Sequence, residues 1–367
     1  MAVFRVLDDH VLSESEYRSR QQALTQFLSI RAAGQALESF TLSEGRTLTA
    51  VAPAPPAAAA WTPIGRGKPL TIMIRHVYTG RHPDNSFLFG DGSDIAIVSG
   101  VKNYDVFDAT TRALNFLVQH QAPHAHIRRP SPFADGTSLV AYSPAIMTDS
   151  MTISFELAVA SFPQELVNGI SGAFNTLAGI PLLLPYAGYL LGAGQLFKLA
   201  GNAGHALFDG IKFSVTDSID FDVPGAEPAV ADFRVLTDNS LDASQFRYRE
   251  PDGLIDANGN LYAGDTPYIV VSLDGAPHDE LKKFAPTVAS AAVLQRFFQV
   301  QSGAQVAIDT VVQGLELASD LKYREMALNL QAKIGQTTDP AEKAKLQADM
   351  QAALKNISQA ALKPPTG

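Results

Sequence analysis

The chain contains no cysteine. That excludes disulfides, thiol nucleophiles and cysteine-ligated zinc. Charge is also scarce: Asp, Glu, Lys and Arg make up 18% of the residues, below the usual quarter. The balance is acidic, at −9 with no dense basic run, which argues against a nucleic-acid partner, because phosphate neutralisation supplies most of such affinity. The catalytic signatures are missing as well. There is no G-x-S-x-G elbow, no Walker loop, no G-x-G-x-x-G after a strand and no H-E-x-x-H. A hydrolase with a site dispersed along the sequence, with or without a metal, stays open only as an alternative. The N-terminus, MAVFRVLDDHVLSESEYRSR, carries charges where a secretory signal needs an apolar run, so a cytoplasmic product is expected.

The sequence does hold one long uncharged stretch. Nothing between Leu166 and Phe197 carries a formal charge, and the stretch is rich in Gly and Ala. It is longer than the roughly 20 apolar residues a membrane span needs, but Pro181 and Pro185 divide it into shorter halves. A helical hairpin over residues 163–208 is the expectation. Gly188 and Gly192 stand four apart, a spacing that lets helix backbones approach closely in lipid or in water. Leu182, Leu183, Leu184, Tyr186, Tyr189, Leu190 and Leu191 are the apolar residues expected to contact a membrane or a protein partner. The plainer alternative is a hairpin that serves only as core.

On either side of this stretch the apolar residues recur with a period of two. Residues 71–78, 94–99, 138–143, 151–160, 212–223, 231–236 and 268–273 read as strands. Asn258-Gly259 marks a hairpin tip in 254–262. Asp108–Gln119 reads as a helix. The pattern predicts an α+β protein: a mostly antiparallel β-sandwich carrying an inserted apolar helical hairpin, with an N-terminal helical arm and a C-terminal helical region. The divisions are a helical arm over 1–50, an Ala/Pro-rich linker over 51–68, the sandwich over 69–275 with its insertion at 163–208, and helices over 276–367. Ser13 with Glu16 has the spacing of a capping box that opens the arm's helix. Gly303 and Gly314 predict helix breaks, while Asp339-Pro340 predicts a helix start. The stripe Leu346, Met350, Leu354 and Ile357 predicts packing on a neighbouring helix, within the chain or in a homo-oligomer.

Two polar clusters complete the reading. Asp84, Asp91 and Asp94 could supply oxygen ligands to calcium, the only cofactor the sequence suggests; polar turns between strands explain them more simply. His120, His124 and His126 lie close to Arg128 and Arg129 in a proline-flanked run. That run reads as a solvated loop in which Arg128 and Arg129 could meet anionic headgroups. The function expected is non-enzymatic: a self-associating protein that engages a membrane or protein partner through its apolar hairpin. A structural scaffold with the hairpin as core is the alternative.

Overall fold

The computed structural model describes residues 2–7, 9–19, 39–43, 46–49, 64–82, 93–103, 111–128, 138–160, 211–221, 232–278, 281 and 305–365. The strands form in the segments where alternation is cleanest. In β10 (Ser150–Ala160), Met151, Ile153, Phe155 and Leu157 are buried while Thr152, Ser154 and Glu156 are half-buried. In β11 (Ile211–Asp220), Phe213, Val215, Asp217 and Ile219 are buried and the residues between them are exposed. Side chains of a strand point alternately to its two faces, so each sequence pattern fixes which face meets the core.

These two strands belong to an antiparallel four-stranded sheet, ordered β11-β10-β6-β7, with β6 at Ser93–Asn103 and β7 at Thr111–Gln121. The larger sheet has nine strands. Its order runs β14 (Gly253–Ile255), β13 (Arg247–Arg249), β2 (His10–Ser13), β1 (Ala2–Leu7), β12 (Asp232–Thr237), β15 (Tyr268–Asp274), β5 (Leu70–Tyr78), β8 (His126–Arg128). A ninth strand, β9 (Leu139–Ser143), pairs with the Leu70–Met73 half of β5, while β8 pairs with its His76–Tyr78 half. The large sheet curls until it is nearly a closed barrel. A two-stranded pair, β3 (Ser39–Ser43) and β4 (Arg46–Thr49), stands apart. The architecture is α+β and mostly antiparallel, as expected.

The two faces of the large sheet bury separate cores. On one, Ile72, Ile74, Ile269, Val271 and Leu273 pack with Ile97, Ile153, Phe155, Leu157 and Val215 of the four-stranded sheet. On the other, inside the curl, Phe4, Val11, Tyr78, Val235, Tyr248, Leu254, Tyr262 and Tyr268 form an aromatic-rich core. Each fully buried aliphatic side chain contributes about 1.5–3 kcal/mol. A buried ion pair ties one sheet to the other: Arg234 Nη1 of β12 donates to Asp217 Oδ2 of β11 at 2.5 Å.

The N-terminal arm is corrected. Residues 2–13 are strands β1 and β2 inside the large sheet, so the sheet begins at Ala2 and not near 69. AVFRVL alternates and is rich in β-branched residues, and its partner β12 gives it a ladder to complete. Only residues 14–19 of the arm are described as helix, and their capping box is present: Glu16 N donates to Ser13 Oγ at 3.2 Å and Ser13 N to Glu16 Oε2 at 3.3 Å. Later in the same arm, β3 and β4 are extended and pair with each other. The expected helix at Asp108–Gln119 is also corrected, because β7 occupies most of it. Its helix-forming residues are overridden by a ladder to β6 that runs from Ser93↔Gln121 to Val101↔Thr111.

Among the described residues of the C-terminal region, 305–336 and 340–355 are helical. Helix α1 (Gln305–Gln336) continues through Gly314 without the expected break, since one glycine costs only about 1 kcal/mol. Helix α2 (Pro340–Lys355) starts as expected, with Asp339 accepting from Ala341 N at 2.9 Å and Pro340 in the first turn. The Leu354–Ile357 part of the stripe is buried with Met350 against Ala327, Tyr323 and Met326 of α1 and against Ala145 and Met147, which precede β10. Leu354 and Ile357 therefore pack within the chain, with Met350 half-buried beside them. Asp320, fully buried on α1, accepts from Ser358 N and Gln359 N, both at 2.9 Å, and fastens the segment after α2.

Candidate functional site

The apolar segment is held by two neighbouring strands. β10 and β11 pair antiparallel from Ser150↔Asp220 to Ala158↔Ile211, so the chain leaves the sheet at Ala160 and re-enters beside the point of departure. The expected hairpin at 163–208, with Leu182, Leu183, Leu184, Tyr186, Gly188, Tyr189, Leu190, Leu191 and Gly192, lies outside the described residues. Among the described residues no helix is long and apolar enough to cross a membrane.

Of the three candidate calcium ligands, Asp84 and Asp91 also lie outside the described residues. Asp94 stands on β6, buried, and its Oδ1 accepts from His120 N at 3.2 Å where β6 meets the end of β7. Among the described residues no group of three His, Cys, Asp or Glu is placed to hold a metal. Arg129 is not described; Arg128 is exposed on β8 and pairs with Asp252 at 3.0 Å.

The histidine run is not simply a solvated loop. It forms strand β8, and it brings two histidines to the seam where the curled sheet nearly closes. The seam lies between β5 with β8 at one end of the strand order and the lead-in to β14 at the other. It is crossed by side chains. His76 of β5, fully buried, has Nδ1 3.2 Å from the Pro251 carbonyl oxygen and Nε2 3.1 Å from His126 Nδ1. His126 Nε2 lies 3.0 Å from the Tyr262 carbonyl oxygen. The Tyr78 hydroxyl donates to the Gly264 carbonyl at 2.7 Å and sits 2.9 Å from His124 Nδ1. The Leu254 N–H donates to the Tyr268 hydroxyl at 2.9 Å. Ion pairs Arg75–Glu250 at 3.4 Å and Arg128–Asp252 at 3.0 Å cross the same seam on its exposed side.

Local backbone makes this closure possible. His124 has φ 63°, an uncommon value for a side-chain-bearing residue, and its N–H donates to the Gly80 carbonyl at 2.8 Å. Gly253 has φ 98°, and a Cβ there would sit 2.7 Å from His76 Nε2. Only glycine lets the β14 backbone lie this close to the imidazole.

Burial sets the protonation of the cluster. It pushes His76 down to about 4, with repulsion from His126 adding to the effect. It lowers His126 as well and raises the phenols of Tyr78 and Tyr268. Rings and phenols are therefore neutral near pH 7. Tyr268 stacks on both His76 and Tyr78, with ring centroids 5.6 and 5.3 Å apart. His76 lies in an apolar strand, although a register shift between Ile74 and His76 turns it to a different face from Ile74, and the His-Ala-His spacing suits a strand. Those two signals could have revealed the cluster; their pairing could not be read locally.

No protein-family model, curated protein sequence or solved structure matches this chain.

Proposed function

We propose that the chain is a non-enzymatic, self-associating protein that engages a membrane or protein partner through the apolar segment 163–208. The observation that carries this reading is the antiparallel pairing of β10 and β11, the strands on either side of residues 161–210 in the sequence. Those residues connect two strands that a two-residue turn would join. A segment of that length is far more than the ladder requires, and it holds the uncharged run Leu166–Phe197. The finer architecture belongs to the same reading: the two sheets as layers of a sandwich, and the segment as a helical hairpin bent at Pro181 and Pro185, in a cytoplasmic protein that associates with membranes through that segment.

Self-association has separate support on α1. Leu317, Leu321 and Leu328 are 42%, 49% and 42% exposed. Steps of four and eleven residues return to nearly the same angle on a helix of 3.6 residues per turn, so the three form one outward stripe. A second copy of the same stripe is the partner we assign to it. The hydrolase alternative has less in its favour, because His76 is fully buried and both its ring nitrogens are engaged with Pro251 and His126.

The test replaces residues 161–210 by an Asn-Gly turn and, separately, makes Leu191→Asp and Leu321→Lys in the full chain. Vesicles of mixed zwitterionic and anionic lipid and sedimentation velocity are the readouts. Loss of vesicle binding in the turn variant, with its β circular dichroism intact, identifies a membrane as the target. Vesicle binding absent from the wild type, with self-association lost in the turn variant, identifies a protein partner. Unfolding of both the turn variant and Leu191→Asp returns the segment to the scaffold alternative. A wild type that is monomeric at micromolar concentration overturns self-association.

A further inference from the structure

The hydrogen bonds of the seam can be counted in protons. The carbonyl oxygens of Pro251 and Tyr262 only accept, so His76 Nδ1 and His126 Nε2 must each carry a hydrogen to bond them. The His76 Nε2–His126 Nδ1 contact needs one more. Three hydrogens are required, and two neutral imidazoles carry two. While both rings are neutral, one of the three contacts is unmade. One added proton completes all three and turns the pair into an imidazole sharing a proton with an imidazolium.

Two effects oppose each other at that point. A hydrogen bond from a charged group contributes about 1.5–3 kcal/mol. Placing an uncompensated charge on the fully buried His76 ring, or on the half-buried His126 ring packed against it, costs up to several kcal/mol. The surroundings do not supply the compensation. From β8, Arg128 repels the added charge; from the β14 lead-in, Asp252 attracts it, but Asp252 is already held by Arg128 at 3.0 Å and Arg249 at 2.8 Å. Glu250 is paired with Arg75, and Asp265 faces His124 and Arg81. Tyr268, Tyr78 and Tyr262 offer aromatic rings and no carboxylate. The cost of the buried charge exceeds the gain of the third bond. The lowering of both histidines agrees with this, burial being its largest cause.

We propose that the His76–His126 pair is an acid-operated latch on the barrel seam, which holds the β13–β14 edge against β5 and β8 while both rings are neutral and releases it when the pair takes up a proton. Release lets water reach the imidazolium. It frees the carbonyls of Pro251 and Tyr262 and the Leu254 N–H at the same time, because all three are held by side chains of the opposite edge or of β15. None of the seam hydrogen bonds described above comes from the four-stranded sheet, and its ladders are retained.

Hydrogen exchange by mass spectrometry on the full chain tests this, at pH 7.5, 6.0 and 5.0 with correction for the intrinsic rate. Peptides covering 247–264 should lose protection by at least about tenfold between pH 7 and 5, since one linked proton shifts an opening equilibrium by up to tenfold per pH unit. Peptides covering 150–160 should not change. In His126→Gln, whose amide NH2 can donate one hydrogen to the bare His76 Nε2 and the other to the Tyr262 carbonyl without titrating, the response of 247–264 should disappear; His76→Gln is the second variant. Protection of 247–264 that stays constant or rises on acidification overturns the latch. So does loss in step with 150–160, and so does a full response in a folded glutamine variant, which would place the titration outside the pair. If neither variant folds, the wild-type comparison of 247–264 with 150–160 decides the matter alone.

Discussion

Arg234 and Asp217 meet at 2.5 Å between the two sheets, 3% and 9% exposed, at a position where the alternation of β11 would otherwise demand an apolar side chain. Removing Asp217 takes this carboxylate away from a guanidinium that water hardly reaches. Asp217→Ala should cost about 3–5 kcal/mol in urea denaturation. The double variant Asp217→Leu/Arg234→Met should recover most of that loss. If it does not, the pair does more than satisfy itself.

The pH dependence of stability follows from His76. Its folded value, about 4, lies below the unfolded value of 6.5, so the unfolded chain binds the proton first as pH falls. The contribution is fully present above about 6.5, declines down to about 4 and is constant below that. At 1.36 kcal/mol per pH unit it amounts to about 3 kcal/mol. The check is the difference between wild type and His76→Gln in urea denaturation from pH 7.5 to 5. Glu14 and Asp9, both lowered, add their losses only at still lower pH.

Gly253 and Gly259 both have positive φ, at 98° and 85°, but a Cβ at Gly259 meets nothing within 4 Å. Gly259→Ala should therefore cost only the conformational penalty, about 1–2 kcal/mol. Gly253→Ala adds a collision with His76 and Tyr268 and should cost at least about 2 kcal/mol more. Thermal denaturation of the two variants side by side checks the difference.

Asp320→Ala strands the N–H groups of Ser358 and Gln359, at about 1–3 kcal/mol each. Tryptic cleavage near Lys355 and Lys363 should accelerate well before the sheets unfold. Asp320→Asn, which keeps one acceptor oxygen, should fall between wild type and Asp320→Ala.

What could be read from the sequence was whatever is decided locally. Clean alternation in 151–160 and 212–220 identified β10 and β11, and the caps at Ser13 and Asp339 are where the spacing placed them. Strand β7 was misread because its residues favour helix on their own and are extended only through a partner. The N-terminal strands were absorbed into the helix that the Ser13 cap begins. The seam was invisible for a different reason. His76 meets His126 at a separation of 50 residues and Pro251 at 175, and no local period encodes which edges of a sheet will face each other.

Strand β1 lies between β2 and β12, with Phe4 opposite both Ser13 and Val235. During synthesis this strand is made early and its second partner late. At about 5–20 residues per second, the interval between them is on the order of 10–50 s. Throughout it, the alternating, β-branched edge of the nascent chain has only the short β2 to pair with, and it is open to any other extended chain nearby. Contacts this far apart in sequence also slow folding once synthesis ends, because loop closure must precede the ladder that rewards it. Production of the intact protein thus depends on how long that first hairpin can be kept from the wrong neighbour, and a slower ribosome lengthens the exposure in direct proportion.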